Sequence, residues 1–436
     1  MIETLNRDCF CVSLDPDALR RAIEADPAAR GLHRLIEERC PHLFAALPVF
    51  VSRRHADAMA GVIRAVESVA ALPAYREAAL QWAPVIARFD PGTAGAFMGY
   101  DFHLGADGPR LIEINTNAGG ALLNTILARA QRACCEKIES FVTGPVPAAD
   151  LERTYFDMFK AEWQSAGRSG LPKRIAIVDD APEQQFLYPE FLLFAQLFHR
   201  FGVRAAVLDP TELSFEGGVL RDARGPIDLV YNRLTDFSLK APTHAALRDA
   251  YLARAAVVTP HPRAHAIYAD KRNLSLLTDA ARLRSWGVDE TTLDRLLRGI
   301  ARTEMVNAPE SDRMWAARRG LFFKPATGYG SKAAYRGDKL TRRVWTEILD
   351  GQYVAQELVP PGVRRTGPES GMKSDVRNYV YAGQVQLLAA RIYQGQTTNF
   401  RTAGGGFAPV LTTAAPGGAR RPPAAFGSRL DVAVAD

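Results

Sequence analysis

Three short apolar runs at regular spacing constrain this chain most. RIAIVDD (174–180), VRAAVLD (203–209) and DLVYNRL (228–234) are each bounded by polar residues. Between the first two lies a helical segment, FLYPEFLLFAQLFHRFG (186–202), with Gly202 in a helix-stop position. A short apolar run of this kind reads as a strand buried on both faces. Strand, helix and strand in this order form a βαβ unit in an open α/β layer. The turn after the first strand, VDDAPEQ (178–184), has no glycine. G-x-G-x-x-G is therefore absent, which argues against a dinucleotide-binding oxidoreductase.

The flanking regions have other patterns. Residues 1–85 read as helical, with apolar positions such as Met59, Ile63, Val66 and Val69 at helical spacing. From Phe97 to Asn117, MGYDFHL, the turn GADGP and RLIEIN predict a hairpin. ALLNTILARAQRACCEKI (121–138) returns to helix, and 141–170 reads as a connection and a helix. Residues 261–415 read as α+β and mostly antiparallel. From 416 on, Pro, Gly, Ala and Arg dominate and predict a loose tail. The expected units are a helical segment (1–85), a hairpin-bearing part (86–140), an α/β domain (141–260), an α+β part (261–415) and the tail (416–436).

Composition excludes several classes. With 54 basic and 48 acidic residues the formal charge is +6, too small an excess over 436 residues to argue for nucleic acid. Cys9, Cys11, Cys40, Cys134 and Cys135 form no C-x-x-C pair and no disulfide framework. Cys134 and Cys135 read as helix core. The N-terminal MIETLNRDCFCVSLD has no basic region followed by an apolar core, and no run of about 18 apolar residues occurs. The expectation is a soluble protein of a reducing cytoplasm, without membrane partner. The eight histidines show no catalytic pattern.

Asp101, Glu113, Asn115 and Asn117 fall on the predicted hairpin. The last three alternate and so share a face, and a turn near 105–109 brings Asp101 opposite. Two carboxylates and two amide oxygens suit Mg²⁺, which completes its shell with phosphate and water. A polar outer face of an edge hairpin is the alternative. Lys324 ends an apolar strand and precedes TGYGSK (327–332), where glycine N–H groups can wrap phosphate and Lys332 adds charge. A plain hairpin turn with solvated lysines reads the same way. YVAQELV (353–359) ends in polar residues that could meet an adenine edge and a ribose, or simply close a strand. Lys271, at the start of a predicted helix (270–283), is disfavoured by the helix dipole and reads locally as solvated. Arg377 and Arg391 lie on predicted strands among apolar neighbours and need a carboxylate or phosphate partner, Asp375 being one candidate.

Taken in order, this set resembles the ATP-grasp superfamily in its circularly permuted branch, which includes glutathionylspermidine synthetase-like enzymes. Asp101 and Glu113-Ile114-Asn115 come first, and Lys271, Lys324 and Gln356-Glu357 follow. The resemblance spans roughly 85–415. It implies an α+β and α/β molecule: a circularly permuted ATP-grasp fold with an inserted Rossmann-like, pre-ATP-grasp substrate domain. It further implies Asp101, Glu113 and Asn115 on Mg²⁺, and Lys271, Lys324 and Lys332 on ATP phosphates. Gly328, Tyr329 and Gly330 would form a lid loop, and Gln356, Glu357 and Leu358 an adenosine pocket. Substrate contacts would come from Asn232, Arg233, Asn117, Asn399 and Arg401. Many relatives carry an arginine two residues before the metal aspartate, where this chain has Gly99, so Arg377 or Arg391 would supply that charge. The implied activity is ATP-dependent joining of a small carboxylate to an amine through an acyl phosphate. A non-catalytic nucleotide-binding protein and a phosphotransferase on the same fold are the alternatives. The substrates and the oligomeric state are not legible.

Overall fold

The computed structural model describes residues 2–133, 142–143, 148–328, 333–367 and 370–413. Lys332, Tyr329, Gly330, Cys134, Cys135 and the tail lie outside them.

The N-terminal region is not purely helical. Strand β1 (Val49–Val51) precedes helix α1 (Arg53–Ala70). Ser52 caps α1, its hydroxyl accepting from the His55 N–H at 3.0 Å. Met59, Ile63, Val66 and Val69 form the buried stripe of α1, as their spacing predicts. β1 was missed because three apolar residues between helices leave too short a pattern to read.

The predicted hairpin is present as β2 (Met98–Gly105) and β3 (Gly108–Asn115). It runs into helix α2 (Ala121–Arg129), which ends well before the predicted 138. Helix α3 (Ala148–Ser165) follows. The α/β unit is then β4 (Arg174–Val178), helix α4 (Tyr188–Arg200), β5 (Arg204–Leu208), β6 (Leu229–Asn232) and β7 (Val257–Thr259). Its four strands are parallel in the order β7-β6-β4-β5. Phe97 seals this unit to the hairpin. Its ring meets Tyr155 of α3, Phe194 of α4 and Tyr231 of β6, with centroids 5.1, 5.4 and 6.1 Å away.

The predicted helix 270–283 is broken into α5 (Arg272–Leu277) and a second turn at Ala280–Ser285. Asp279 interrupts it by capping the second piece, accepting from the Arg282 N–H. β8 (Thr303–Met305), β9 (Leu321–Pro325), β10 (Tyr335–Arg336) and β11 (Tyr353–Glu357) make a small antiparallel sheet in the order β8-β11-β9-β10.

The last strands are β12 (Gly371–Tyr381), β13 (Gln384–Tyr393) and β14 (Gly406–Thr413). Ala382 and Gly383 turn β12 into β13 with φ of 45° and 75°, the left-handed pair that a tight hairpin needs. These strands do not extend the small sheet. They join the hairpin in a central sheet ordered β1-β14-β13-β12-β2-β3. The expected 261–415 part is therefore split. Residues 303–357 build the small sheet, and 371–413 share one sheet with 98–115. Sequence order concealed this, because β2 and β12 are neighbours across some 270 residues of chain.

Candidate active site

The register of the central sheet assembles the site. Asp101 of β2 stands opposite Glu113 of β3 on one side and Arg377 of β12 on the other. Gly99 stands opposite Asn115. Asp375 of β12 stands opposite Arg391 of β13. Asp101, Glu113, Asn115, Arg377 and Arg391 line a cleft of about 340 Å³ between the central and the small sheets. The small-sheet side of the lining comprises Lys324, Pro325, Gly328 and the strand end Gln356 to Val359, with Lys271 beside them.

Asp101 is 2% exposed and heavily bonded. Arg377 donates to it through Nε at 2.6 Å and NH2 at 2.7 Å. Arg391 NH2 lies 2.9 Å away, and the Asn115 amide donates at 3.0 Å. Burial alone would push the Asp101 carboxyl up, but the two guanidinium groups outweigh it and hold it at about 2. Three of these four contacts fall on Oδ2, so Oδ1 keeps a lone pair for another ligand. Arg391 also binds Asp375 through Nε at 2.8 Å and NH2 at 3.1 Å. Asp375 is thus a partner of Arg391, while Arg377 is held by Asp101.

Gly99 explains how Arg377 reaches its place. A Cβ there would stand 2.7 Å from the Ala118 Cβ and 3.1 Å from Arg377 Nε. The missing side chain is the space that the guanidinium uses.

Lys324 Nζ donates to the Ile112 carbonyl at 2.9 Å and to Gln356 Oε1 at 2.8 Å. Burial lowers its pKa to about 8, with Glu113 and Asp101 countering and Lys271 reinforcing the shift. Lys271 is not a solvated lysine. Its Nζ donates to the Gly328 carbonyl at 3.0 Å and lies 3.8 Å from Glu113. The helix behind it has only six residues, so the dipole argument has little force.

At the strand end, the Glu357 N–H donates to the Arg302 carbonyl and the Leu358 N–H to the Gly320 carbonyl. Both amides are spent inside the protein, so an adenine edge would not be read through them. Arg110 NH2 donates to Glu357 Oε2 at 2.6 Å, and Glu357 lines the cleft. His103 also lines the cleft, although no histidine pattern pointed to it. Its Nδ1 donates to the Val359 carbonyl at 2.7 Å, and burial lowers its pKa. It is legible only through register, two residues beyond Asp101 on β2.

Five expected substrate contacts lie elsewhere. Asn232 donates to the Pro260 carbonyl at 3.2 Å and accepts from the Leu234 N–H at 3.1 Å, which fixes the end of β6. Asn117 lies beyond β3 rather than on it, and donates to the Arg233 carbonyl at 2.8 Å. Arg233 donates back to the Asn117 side chain and sits over the Tyr231 and Phe191 rings. Asn399 folds its own loop, donating to the Gln394 carbonyl at 2.7 Å and accepting from the Arg401 N–H at 2.9 Å. Arg401 is exposed. None of the five lines the cleft. Their neighbours Gln396, Thr397, Thr398 and Phe400 do.

Among the described residues, no three His, Cys, Asp or Glu side chains converge as a metal centre. Glu113 and the Asn115 carbonyl oxygen, with Oδ1 of Asp101, are a hard-oxygen set too small to close a shell. That is the incomplete set Mg²⁺ takes when phosphate and water supply the rest.

No family model matches this chain, and no curated protein does. Among solved structures, it matches a glutathione synthetase-like effector from Globodera pallida at 12% identity and a TM-score of 0.54. That match covers 91% of this chain and 97% of the effector. A putative gamma-glutamylcysteine synthetase from Methylobacillus flagellatus aligns at 10% identity and a TM-score of 0.45, over 82% and 87% of the two chains. PsnB, an ATP-grasp ligase solved with a minimal precursor, Mg and ADP, aligns at 20% identity and 0.32, over 55% and 76%. The match to the effector shows a shared fold. No helix among the described residues is long and apolar enough to cross a membrane.

Proposed function

We propose that this chain is a circularly permuted ATP-grasp ligase that joins a carboxylate to an amine. The parallel unit 174–259 is its inserted Rossmann-like domain. The observation that carries the reading is the single cleft. It places two lysines, a polar strand end, an incomplete hard-oxygen set and two arginines against one another.

In this reading the adenosine lies against Gln356, Glu357 and Leu358, and Lys271 and Lys324 neutralise phosphate oxygens. Glu113, Asn115 and Asp101 Oδ1 would hold Mg²⁺, which neutralises phosphate charge. Arg377 and Arg391 each spend Nε and NH2 on carboxylates. Their NH1 groups have no partner among the described residues and are not sealed from the cleft. They are placed to orient a substrate carboxylate and to stabilise charge on the transferring phosphoryl group. The carboxylate oxygen attacks the γ-phosphorus and ADP departs. The amine nitrogen then attacks the carbonyl carbon, phosphate leaves, and the nitrogen loses a proton. The protein's share is positioning and charge neutralisation.

Label transfer tests this. Acids carrying ¹⁸O in the carboxyl group should pass one label per turnover to released phosphate. Turnover that leaves phosphate unlabelled rules out the acyl phosphate.

A further inference from the structure

Beyond Arg391 the cleft is closed by the connection 394–405 between β13 and β14. Its lining there is Tyr393, Gln396, Thr397, Thr398 and Phe400, all uncharged. The Thr398 hydroxyl is spent on Asp375, and Asp375 on Arg391, so neither offers a charge to a ligand. The expected charged contact, Arg401, is exposed and outside the lining. Phe400 continues into an aromatic row. Its ring centroid is 4.7 Å from that of Phe407 and 5.3 Å from that of Phe186, which is 38% exposed. A charged group seated against Phe400 would find no oppositely charged side chain among these lining residues. A flat apolar group would gain both burial and ring contact.

We propose that the carboxylate substrate carries an apolar, planar group seated on Phe400, and no second charged group. The inference rests on the ligase reading and names the substrate class of that site.

Hydroxylamine tests it without knowledge of the natural amine. Carboxylate oxygen attacks the γ-phosphorus and ADP leaves; hydroxylamine nitrogen then attacks the carbonyl carbon, phosphate leaves, and a proton passes to solvent. Hydroxamate is measured by mass spectrometry with 3-phenylpropanoate, glutarate and N-acetylglutamate in turn. The expected result is a kcat/KM for 3-phenylpropanoate at least about ten-fold above both diacids, the discrimination one apolar pocket can supply. Phe400→Ala should abolish that preference through KM rather than kcat. Equal or better use of either diacid overturns the inference, as does a preference that survives Phe400→Ala. Should that variant fail to fold, Gln396→Arg at the exposed rim replaces it. It should shift preference toward glutarate, and no shift overturns the inference. Absence of hydroxamate from every acid, in protein that binds MgATP by calorimetry, overturns the ligase reading and this inference with it.

Discussion

Asp101 holds two buried arginines by itself on one side, so its charge matters more than its bulk. Asp101→Asn leaves Arg377 without a carboxylate and Arg391 with Asp375 alone. Removing one member of such a buried group costs about 3–5 kcal/mol. Urea unfolding should show a loss of that order. The acid limb follows from the same contact. The ordinary Asp101 value is 3.8 and the folded value about 2, so the unfolded chain takes up this proton first as pH falls. The stability from Asp101 is complete above about 4 and is lost toward 2. That part of the acid dependence should vanish in Asp101→Asn. Lys324 acts at the other end of the scale. Burial leaves its ammonium with a pKa of about 8, so its grip on phosphate weakens as pH rises through that value. The Kd for MgATP, measured by calorimetry from pH 7 to 9, should rise across the range in the native protein. In Lys324→Ala it should be weaker at pH 7 and nearly flat.

The loop after the hairpin is the element with least tolerance. Gly120 precedes α2 with φ of 99°, and a Cβ there would collide with the Phe407 ring. Gly120→Ala combines a disfavoured backbone with overpacking and should cost about 3 kcal/mol, read as a drop in melting temperature. The hairpin itself was legible in the sequence. Alternation put Glu113 and Asn115 on one face, and a Gly/Pro turn set Asp101 against Glu113. Lys324 and Gln356 were each legible at a strand end, and only the family resemblance put them at one site; their hydrogen bond follows from the pairing of β9 with β11. What alternation cannot encode is which distant strand lies alongside. The pairing of Asp101 with Arg377 spans 276 residues and rests on the sheet order. His103, Gln396 and Phe400 were missed for a related reason. Asn399 and Arg401 were the expected contacts in this loop, yet the Asn399 amide is spent on its own turn and Phe400 beside it lines the cleft.

Two buried carboxylates bind the parallel unit to the rest of the molecule. Glu190 at the start of α4 accepts from the Gly120 and Leu122 N–H groups at 2.8 and 3.1 Å, which caps α2. Glu162 of α3 accepts from the Ala94 and Gly95 N–H groups, from Thr259 of β7 and from Tyr381 of β12. Burial pushes both carboxyls up, and the donors around them oppose it. Four regions far apart in sequence therefore meet at Glu162, and the loop carrying Asn115 toward α2 is fixed by Glu190. The site residues are held from both sides by a framework that no local pattern announces. The central claim is that this framework holds MgATP against a carboxylate and an amine. The most direct measurement incubates the protein with MgATP and mixed pools of acids and amines, with Glu113→Ala as control, and reads products by mass spectrometry. The account predicts ADP, phosphate and a product of mass equal to acid plus amine minus water, all absent with Glu113→Ala. Failure to bind ATP in the presence of Mg²⁺ would contradict it.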